Sequence, residues 1–144
     1  MADPEHILFL ASLLRDRAHQ FIQAEFHRRS IRGLEPAHGA VLHSLAVHGP
    51  QNMTDLARHT GRTKPTITAL VQKLVHHGYV DREPDPADGR VTRVRLTSEA
   101  KALAEDLLDI SCRIRERIGR GLSANDQRTL ADLLDRAVRN FSRD

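Results

Sequence analysis

The residue types best suited to chemistry lie on one predicted helix that begins at Thr63. Its apolar positions recur at helical spacing, so the opposite side is expected to face solvent. That side carries short hydroxyls near its start and two cations. Hydroxyls and amides suit base edges in a DNA groove, while cations and a helix N-terminus suit phosphates. The candidate contact residues are Thr63, Lys64, Pro65, Thr66, Thr68, Gln72 and Lys73.

A second group of polar residues lies on a predicted β-hairpin that follows this helix. Residues 79–83 and 91–96 change to an alternating pattern, and Asp88-Gly89 is a strong turn dipeptide between them. An arginine at the tip of a narrow hairpin can enter a minor groove, which suits Arg90. We expect Asp88 to order the tip and orient Arg90. Arg93 and Arg95 point off the strand face and are candidates for phosphate contacts.

Four helices are predicted before this hairpin and two after it. The first runs from Asp3-Pro4 to about Phe26, and each later helix begins at a proline or at a residue that can cap it. Glycines end most of these helices. The later starting points are Pro36, Asn52 with Asp55, Thr63, Thr97 or Ser98, and Ser123 with Asp126.

Ala57, Gly61 and Ile67 have the spacing of a helix-turn-helix. A small residue on the first helix allows close packing, and the glycine takes the backbone conformation that a tight turn needs. The apolar residue then packs back against the first helix. With a hairpin following, the pattern indicates a helix-turn-helix that carries a two-stranded wing.

Composition limits the class of partner. The chain has 144 residues, 3% aromatics and a single cysteine. Few aromatics disfavour a stacking platform for single strands, and one cysteine excludes an internal disulfide or a cysteine-based zinc knuckle. The formal charge of +3 is mildly basic and permits a polyanionic partner.

The sequence also predicts a soluble, cytoplasmic protein. The start at residues 1–5 lacks the positive charge of a secretory signal, and the apolar run at 7–14 is soon followed by charges. No stretch approaches the roughly 20 apolar residues of a membrane span.

The segment from Asp55 to Thr97 resembles the MarR family of winged-helix transcriptional regulators. Residues 88–97 fit the family's wing pattern D-x-R-x-x-x-V-x-L-T at every fixed position, and residues 73–82 resemble its recognition-helix exit. The flanking helices match in number and length, so the resemblance covers nearly the whole chain. One departure is Ala69, where some relatives place a long arginine. Base readout is therefore expected to depend more on hydroxyls, Gln72 and groove shape.

The resemblance implies a fold that is mainly α with a small β-hairpin (α+β): a winged helix-turn-helix flanked by N- and C-terminal dimerisation helices. The expected organisation is a single MarR-like domain over residues 1–144. Within it, residues 34–97 form the DNA-binding lobe, and residues 3–30 and 98–143 form the dimerisation lobe. Apolar stripes on the first and last two helices also favour a homodimer, whose two recognition helices would address a palindromic operator. Repression is the expected mode, with activation as the alternative.

The family often binds small aromatic carboxylates or phenols between the dimerisation helices and the winged lobe. Arg15 or a histidine could then take a carboxylate while apolar side chains hold a ring. The alternative is that these residues only pack or lie at the dimer interface. The candidate pocket residues are Arg15, Ala18, His19, Phe21, Ile22, His38, Leu42 and His43.

We predict no metal and no cofactor. Glu25, His38 and His43 lie where metal-sensing relatives hold some ligands, but residues 98–118 lack the histidine that those relatives also use. Solvated or hydrogen-bonded histidines are the simpler interpretation. Cys112 is interpreted as a small hydrophobic residue, because redox-sensing relatives place their cysteine in the first helix.

Two other classes of function are the alternatives to a DNA-binding regulator. An enzyme is not expected, because the sequence has no nucleophile elbow, no phosphate-binding glycine loop and no His-Glu metal motif. A protein-interaction module that has lost DNA binding is the other alternative. In such a module, Arg90 and the recognition-helix lysines would be dispensable.

Overall fold

A computed structural model describes residues 3–142 of the chain. The predicted order of four helices, a hairpin and two helices is confirmed, and short 3₁₀ helices precede the first helix and follow the last. The α-helices are α1 Ile7–Arg28, α2 Pro36–His48, α3 Met53–Thr60, α4 Lys64–His76, α5 Ser98–Gly119 and α6 Ala124–Arg139. The strands are β1 Gln51–Asn52, β2 Val80–Pro84 and β3 Thr92–Leu96.

Side-chain caps begin the helices where the sequence predicts them. Asn52 Oδ1 accepts the Asp55 N–H at 2.8 Å ahead of α3, and Thr63 caps α4. Ser123 and Asp126 form the reciprocal capping box of α6. Each cap satisfies an N–H group that the first turn leaves without a helical partner, so the starts of these helices are set locally.

The sheet has three strands where the sequence predicted two. The order is β1-β3-β2, with both pairings antiparallel, and Gln51 lies opposite Val94. A strand of two residues is too short to show an alternating pattern, which is why the sequence did not reveal β1. Gln51 is buried, and its side-chain amide donates to the carbonyl oxygens of Ser44 at 3.0 Å and Gly49 at 3.2 Å. These bonds tie the base of the wing to the end of α2.

The chain divides into two compact units, Met1–Ser111 and Cys112–Asp144. The core of the first unit is formed by fully buried side chains from α2, α3, α4 and the two longer strands, among them Leu42, Leu56, Ile67 and Val94. Gly39 brings α1 and α2 together, since a Cβ there would lie 2.7 Å from the Phe26 ring. The helix-turn-helix and the wing therefore share one core.

The structure divides the chain at a different point from the predicted lobes. The boundary between the two compact units falls within α5. The predicted DNA-binding lobe covers residues 34–97, and the predicted dimerisation lobe covers residues 3–30 and 98–143. These predicted lobes meet at the start of α5. The predicted limits at residues 1, 143 and 144 lie outside the described residues. The assignment of a DNA-binding and a dimerisation lobe stays a prediction.

An ion-pair cluster around Arg29 connects the end of α1 to α5. The guanidinium donates to Glu25 at 3.2 Å, to Asp106 at 2.7 Å and to Asp109. The hydrogen bond to Asp109 is the main cause that raises the pKa of Arg29 above its usual value. Glu25 is buried, and the two arginines that reach it, Arg28 and Arg29, keep its charge paired.

Two groups of large apolar side chains stand out among those that the single chain exposes within residues 3–142. On α1 they are consecutive, Ile7 to Leu10, and Leu8 is 79% exposed. In the second unit, α6 buries none of its residues, and Leu133 is 53% and Phe141 89% exposed. Within residues 3–142, no helix is both long enough and apolar enough to traverse a lipid bilayer.

Candidate nucleic-acid interface

The turn between α3 and α4 has the geometry that the helix-turn-helix pattern predicts. Gly61 ends α3 in the left-handed conformation, with φ of 64°. The Arg62 N–H then donates to the Ala57 carbonyl oxygen at 3.0 Å and closes the turn. Leu56 on α3 and Ile67 on α4 are both fully buried in the shared core. The orientation of α4 relative to α3 is therefore set by a tight turn and by packing.

Helix α4 separates its side chains by polarity. Ile67, Val71 and Leu74 are buried, while all seven predicted contact residues on this helix and its cap are exposed. Ala69 lies among the exposed residues as well. The exposed residues are Thr63, Lys64, Pro65, Thr66, Thr68, Gln72 and Lys73. This face presents hydroxyls, an amide and two cations together, which is a chemistry suited to a phosphate-lined groove.

The hydroxyls on this face are held by local hydrogen bonds. Thr63 Oγ1 accepts the Thr66 N–H at 3.4 Å, and the two hydroxyl oxygens lie 2.9 Å apart. Thr68 donates its hydroxyl proton to the Lys64 carbonyl oxygen at 2.9 Å. A hydroxyl that donates internally keeps its lone pairs, so Thr68 can accept a hydrogen bond from a partner.

The wing tip is ordered by two aspartates. Asp85 Oδ1 accepts the Ala87 N–H at 2.8 Å, and Asp88 Oδ1 accepts both the Arg90 N–H and Nε–H at 3.1 Å. The Arg90 side chain is 92% exposed. Its hydrogen bonds hold the pKa of Asp88 below the usual value, with the side-chain bond the main cause. The expected contact by which Asp88 orients Arg90 is present.

Arg93 and Arg95 are paired with carboxylates of the neighbouring strand, unlike Arg90 at the wing tip. They point off the strand face as predicted, but each lies opposite a carboxylate of β2: Glu83 faces Arg93 and Asp81 faces Arg95. Arg93 Nη2 lies 2.5 Å from Glu83, and Arg95 reaches Glu83 at 3.2 Å and Asp81 at 3.4 Å. A DNA phosphate would have to compete with these carboxylates. The phosphate role of the two arginines stays a prediction.

Two features of the wing were not predicted from the sequence. The carboxylates of Asp81 and Glu83 could have been recognised by aligning the two predicted strands antiparallel, which places each opposite an arginine. Arg82 is exposed on β2 and makes no ion pair with any residue from 3 to 142. In addition to Arg90 at the tip, the wing therefore exposes a cation on β2 that has no carboxylate partner among the described residues.

Comparison with known proteins connects this arrangement to one family. A model of the MarR family matches residues 32–91. IacR, an HTH-type transcriptional repressor of Pseudomonas putida, is 29% identical over 101 residues, which cover 70% of this chain and 60% of IacR. YkoM, an uncharacterized HTH-type transcriptional regulator of Bacillus subtilis (strain 168), is 30% identical over 105 residues, which cover 73% of this chain and 68% of YkoM. The chain belongs to the MarR family of transcriptional regulators.

Solved structures agree with the fold of this MarR-family chain. A probable transcriptional regulator from Pseudomonas aeruginosa is 31% identical, with a TM-score of 0.72, and the match covers 91% of this chain and 96% of that one. BpsR of Bordetella bronchiseptica, whose DNA binding is regulated by 6-hydroxynicotinic acid, is 22% identical with a TM-score of 0.76. That match covers 100% of this chain and 98% of BpsR. Because BpsR is 22% identical to this chain, its similarity shows the fold alone.

The residues of the predicted effector pocket lie in different environments. Arg15 and His19 are exposed on α1, and Arg15 pairs with the neighbouring Asp16 at 3.3 Å. His38 and Leu42 are buried on α2. The four remaining residues are half-buried: Ala18, Phe21, Ile22 and His43. The set lines neither of two cavities that the first unit contains, of about 420 and 330 Å³. The effector pocket stays a prediction.

His38 has a structural role in the start of α2. Its Nδ1 accepts the Glu35 N–H at 3.1 Å, within a capping box. Burial is the main cause that lowers the pKa of His38, and the charge of Lys73 adds to it. Among residues 3–142, no group of three histidine, cysteine or acidic side chains is arranged to hold a metal ion.

Proposed function

We propose that this MarR-family protein is a transcriptional regulator that binds double-stranded DNA through the exposed face of α4 and the wing tip. The single observation that carries the proposal is the pairing of these two features on one core. Helix α4 buries its apolar side and, together with its cap, exposes the seven predicted contact residues, and Arg90 extends from a tip that Asp88 orders. A helix of this kind suits a major groove, and an exposed arginine on a hairpin suits the adjoining minor groove.

The functional form is proposed to be a homodimer. The N-terminal half of α1 and the second unit each expose large apolar side chains on the single chain. Monomeric proteins rarely expose contiguous apolar surface of this kind, and a two-fold dimer buries the same patch on both copies. Two copies of α4 would then read two half-sites about one turn of DNA apart, which makes a palindromic operator the expected target.

Repression and release by a small aromatic ligand complete the proposal. The relative IacR is a repressor, and BpsR has its DNA binding regulated by 6-hydroxynicotinic acid, which favours both properties here. The residues predicted for the pocket include a cation, Arg15, and half-buried apolar residues such as Phe21 and Ile22. We also propose that the protein acts in the cytoplasm, where the DNA that it would bind is accessible to it.

Selection of bound sequences from a random duplex pool tests the proposal. The expected result is a palindromic consensus whose half-sites are about one helical turn apart. An enrichment no better than that of a random pool, at low and moderate salt, would contradict sequence-specific binding. It would favour the protein-interaction module instead.

Arg90→Ala then tests the wing on the selected operator. We expect the affinity to fall by about tenfold to a hundredfold with the fold intact, because the arginine supplies the proposed minor-groove contact. Arg139→Ala is the matched control, since Arg139 is also an exposed arginine that pairs with a nearby aspartate. Equal affinity of the Arg90 variant and the parent in a fluorescence-anisotropy titration would show that the wing tip does not contact DNA.

A further inference from the structure

Four charged side chains face one another across the paired strands of the wing. Glu83 and Asp81 on β2 lie opposite Arg93 and Arg95 on β3. Alternate residues of a strand point to the same face, so all four share one face of the hairpin. Val94, between the two arginines, is buried on the other face. Two carboxylates and two guanidiniums carry no net charge together, so this face presents two arginines without presenting a net positive charge.

Glu83 is the carboxylate that binds both arginines. Its Oε1 accepts from Arg93 Nε at 3.0 Å and from Arg93 Nη2 at 2.5 Å, and its Oε2 lies 3.2 Å from Arg95 Nε. Hydrogen bonds between two ionised groups are shorter and stronger than neutral ones and fix the direction of the guanidinium. The side chains of Glu83 and Arg93 are 28% and 27% exposed, so salt in the solvent screens this pair less than a pair on the open surface.

Arg90 at the wing tip is paired more weakly. Its side chain is 92% exposed, and its partner Asp88 lies two residues before it. Exposed ion pairs contribute little net free energy, so a phosphate can replace Asp88 readily. A phosphate that approaches Arg93 must instead displace a half-buried carboxylate that the strand register keeps opposite it. Since that carboxylate belongs to the same chain, it competes at a high effective concentration.

We propose that Glu83 is an internal competitor for phosphate, which withholds Arg93 and Arg95 from the DNA backbone and leaves Arg90 as the arginine through which the wing tip binds. Contacts to phosphate strengthen binding to every sequence and do not discriminate among them. Glu83 therefore lowers the sequence-independent part of DNA binding. This effect on DNA rests on the proposed function, whereas the withholding of the arginines from a polyanion does not.

Elution of the full chain from a heparin column by a salt gradient tests the inference without DNA. Glu83→Gln removes the charge and preserves the size of the side chain. Glu105→Gln is the matched control, because Glu105 is exposed on α5 and makes no ion pair with any residue from 3 to 142. The two variants have the same net charge. We expect Glu83→Gln to elute at a higher salt concentration than Glu105→Gln, because it also releases two arginines.

Replacing Arg93 tests whether the released arginine causes the shift. Arg93→Gln should lower the elution salt concentration more in the Glu83→Gln background than in the parent, because the arginine is free only in that background. In the parent, Arg93→Gln should lower it less than Arg90→Gln does. This second comparison does not require the Glu83 variant to fold, and thermal unfolding of each variant checks its fold.

A duplex of random sequence extends the test to DNA. The slope of log affinity against log salt should be steeper by about 1 to 2 in Glu83→Gln than in Glu105→Gln, as expected for one or two added phosphate contacts. At low salt, the affinity of Glu83→Gln should exceed that of Glu105→Gln by about threefold or more.

Three results would overturn the inference. They are elution of Glu83→Gln together with Glu105→Gln or before it, a loss in Arg93→Gln as large as that in Arg90→Gln, and equal salt slopes of the two glutamate variants on a duplex that the parent binds. Elution of Glu83→Gln before the control would mean that Glu83 positions the arginines for a polyanion. Failure of the proposed function is distinguishable, because the parent would then bind no duplex while the shift on heparin remained.

Discussion

Helices α4 and α6 are both amphipathic, but they place their apolar sides in opposite environments. Helix α4 buries Ile67, Val71 and Leu74 completely and exposes hydroxyls and cations. Helix α6 buries no residue on the single chain and exposes Leu133 and Val138. The contrast indicates two kinds of partner. The exposed side of α4 suits a polyanion, whereas the exposed side of α6 suits another apolar surface.

The largest expected effect is on the buried side of α4. Ile67→Ala removes a fully buried side chain from the core that α3, α4 and the strands share. We expect the free energy of unfolding to fall by about 2–5 kcal/mol, because apolar contacts are lost and a cavity remains. Urea unfolding followed by circular dichroism measures this loss. A loss no larger than that of a surface substitution would mean that this core does not hold the recognition helix.

A charge on the exposed apolar side of α6 is expected to act on assembly instead. Leu133→Glu places a carboxylate where we propose that two copies meet, so the dimer should dissociate. Loss of the second DNA contact should then weaken operator binding by about a hundredfold or more. Analytical ultracentrifugation and operator titration measure the two effects.

A matched substitution controls for the added carboxylate. Asn125→Glu adds the same group in the first turn of α6, at an exposed polar position outside the apolar stripe that contains Leu133. If both variants stay dimeric at micromolar concentration, the exposed side of α6 does not form the interface. Monomer formation by the Asn125 variant alone would place the interface on a different side of that helix.

The sequence predicts the local features of this contrast well and the long-range ones poorly. The caps at Asn52, Thr63 and Ser123 depend on side chains within three residues, so their patterns are visible in the chain. The cluster of Arg29 with Asp106 and Asp109 joins residues 77 and 80 positions apart, which no local pattern indicates. The carboxylate partners of Arg93 and Arg95 require the register of β2 and β3. The exposure of the seven predicted contact residues on α4 and its cap was predictable because it follows from helical periodicity.

A smaller effect is expected from pH, through the one histidine that is buried in the described range. The pKa of His38 is lowered in the folded chain, so below about pH 6.5 the unfolded state takes up a proton that the folded state resists. Stability should therefore be highest above that pH and fall as the solution is acidified through the lowered pKa. Lys73 and His77 add to the lowering, and Glu35 opposes it.

The variant His38→Asn isolates this contribution. Asn keeps an acceptor near the position of Nδ1, which receives the Glu35 N–H, but it does not titrate. Thermal unfolding of parent and variant between pH 5 and 8 should show a steeper acid-side loss in the parent. Parallel pH profiles would mean that His38 does not couple folding to protonation.

The smallest effect concerns the polar side of α4. Lys64 lies in its first turn and is exposed, where it can neutralise one phosphate. Lys64→Ala should weaken binding to all duplexes by a similar factor and reduce the slope of log affinity against log salt by about 1. Thr68→Ala, one turn further along, removes a hydroxyl without changing charge and should leave the slope unaltered. If Lys64→Ala has the same salt slope as the parent, Lys64 does not contact a phosphate. The proposal that the exposed side of α4 binds a polyanion, in contrast to that of α6, would then lose its electrostatic support.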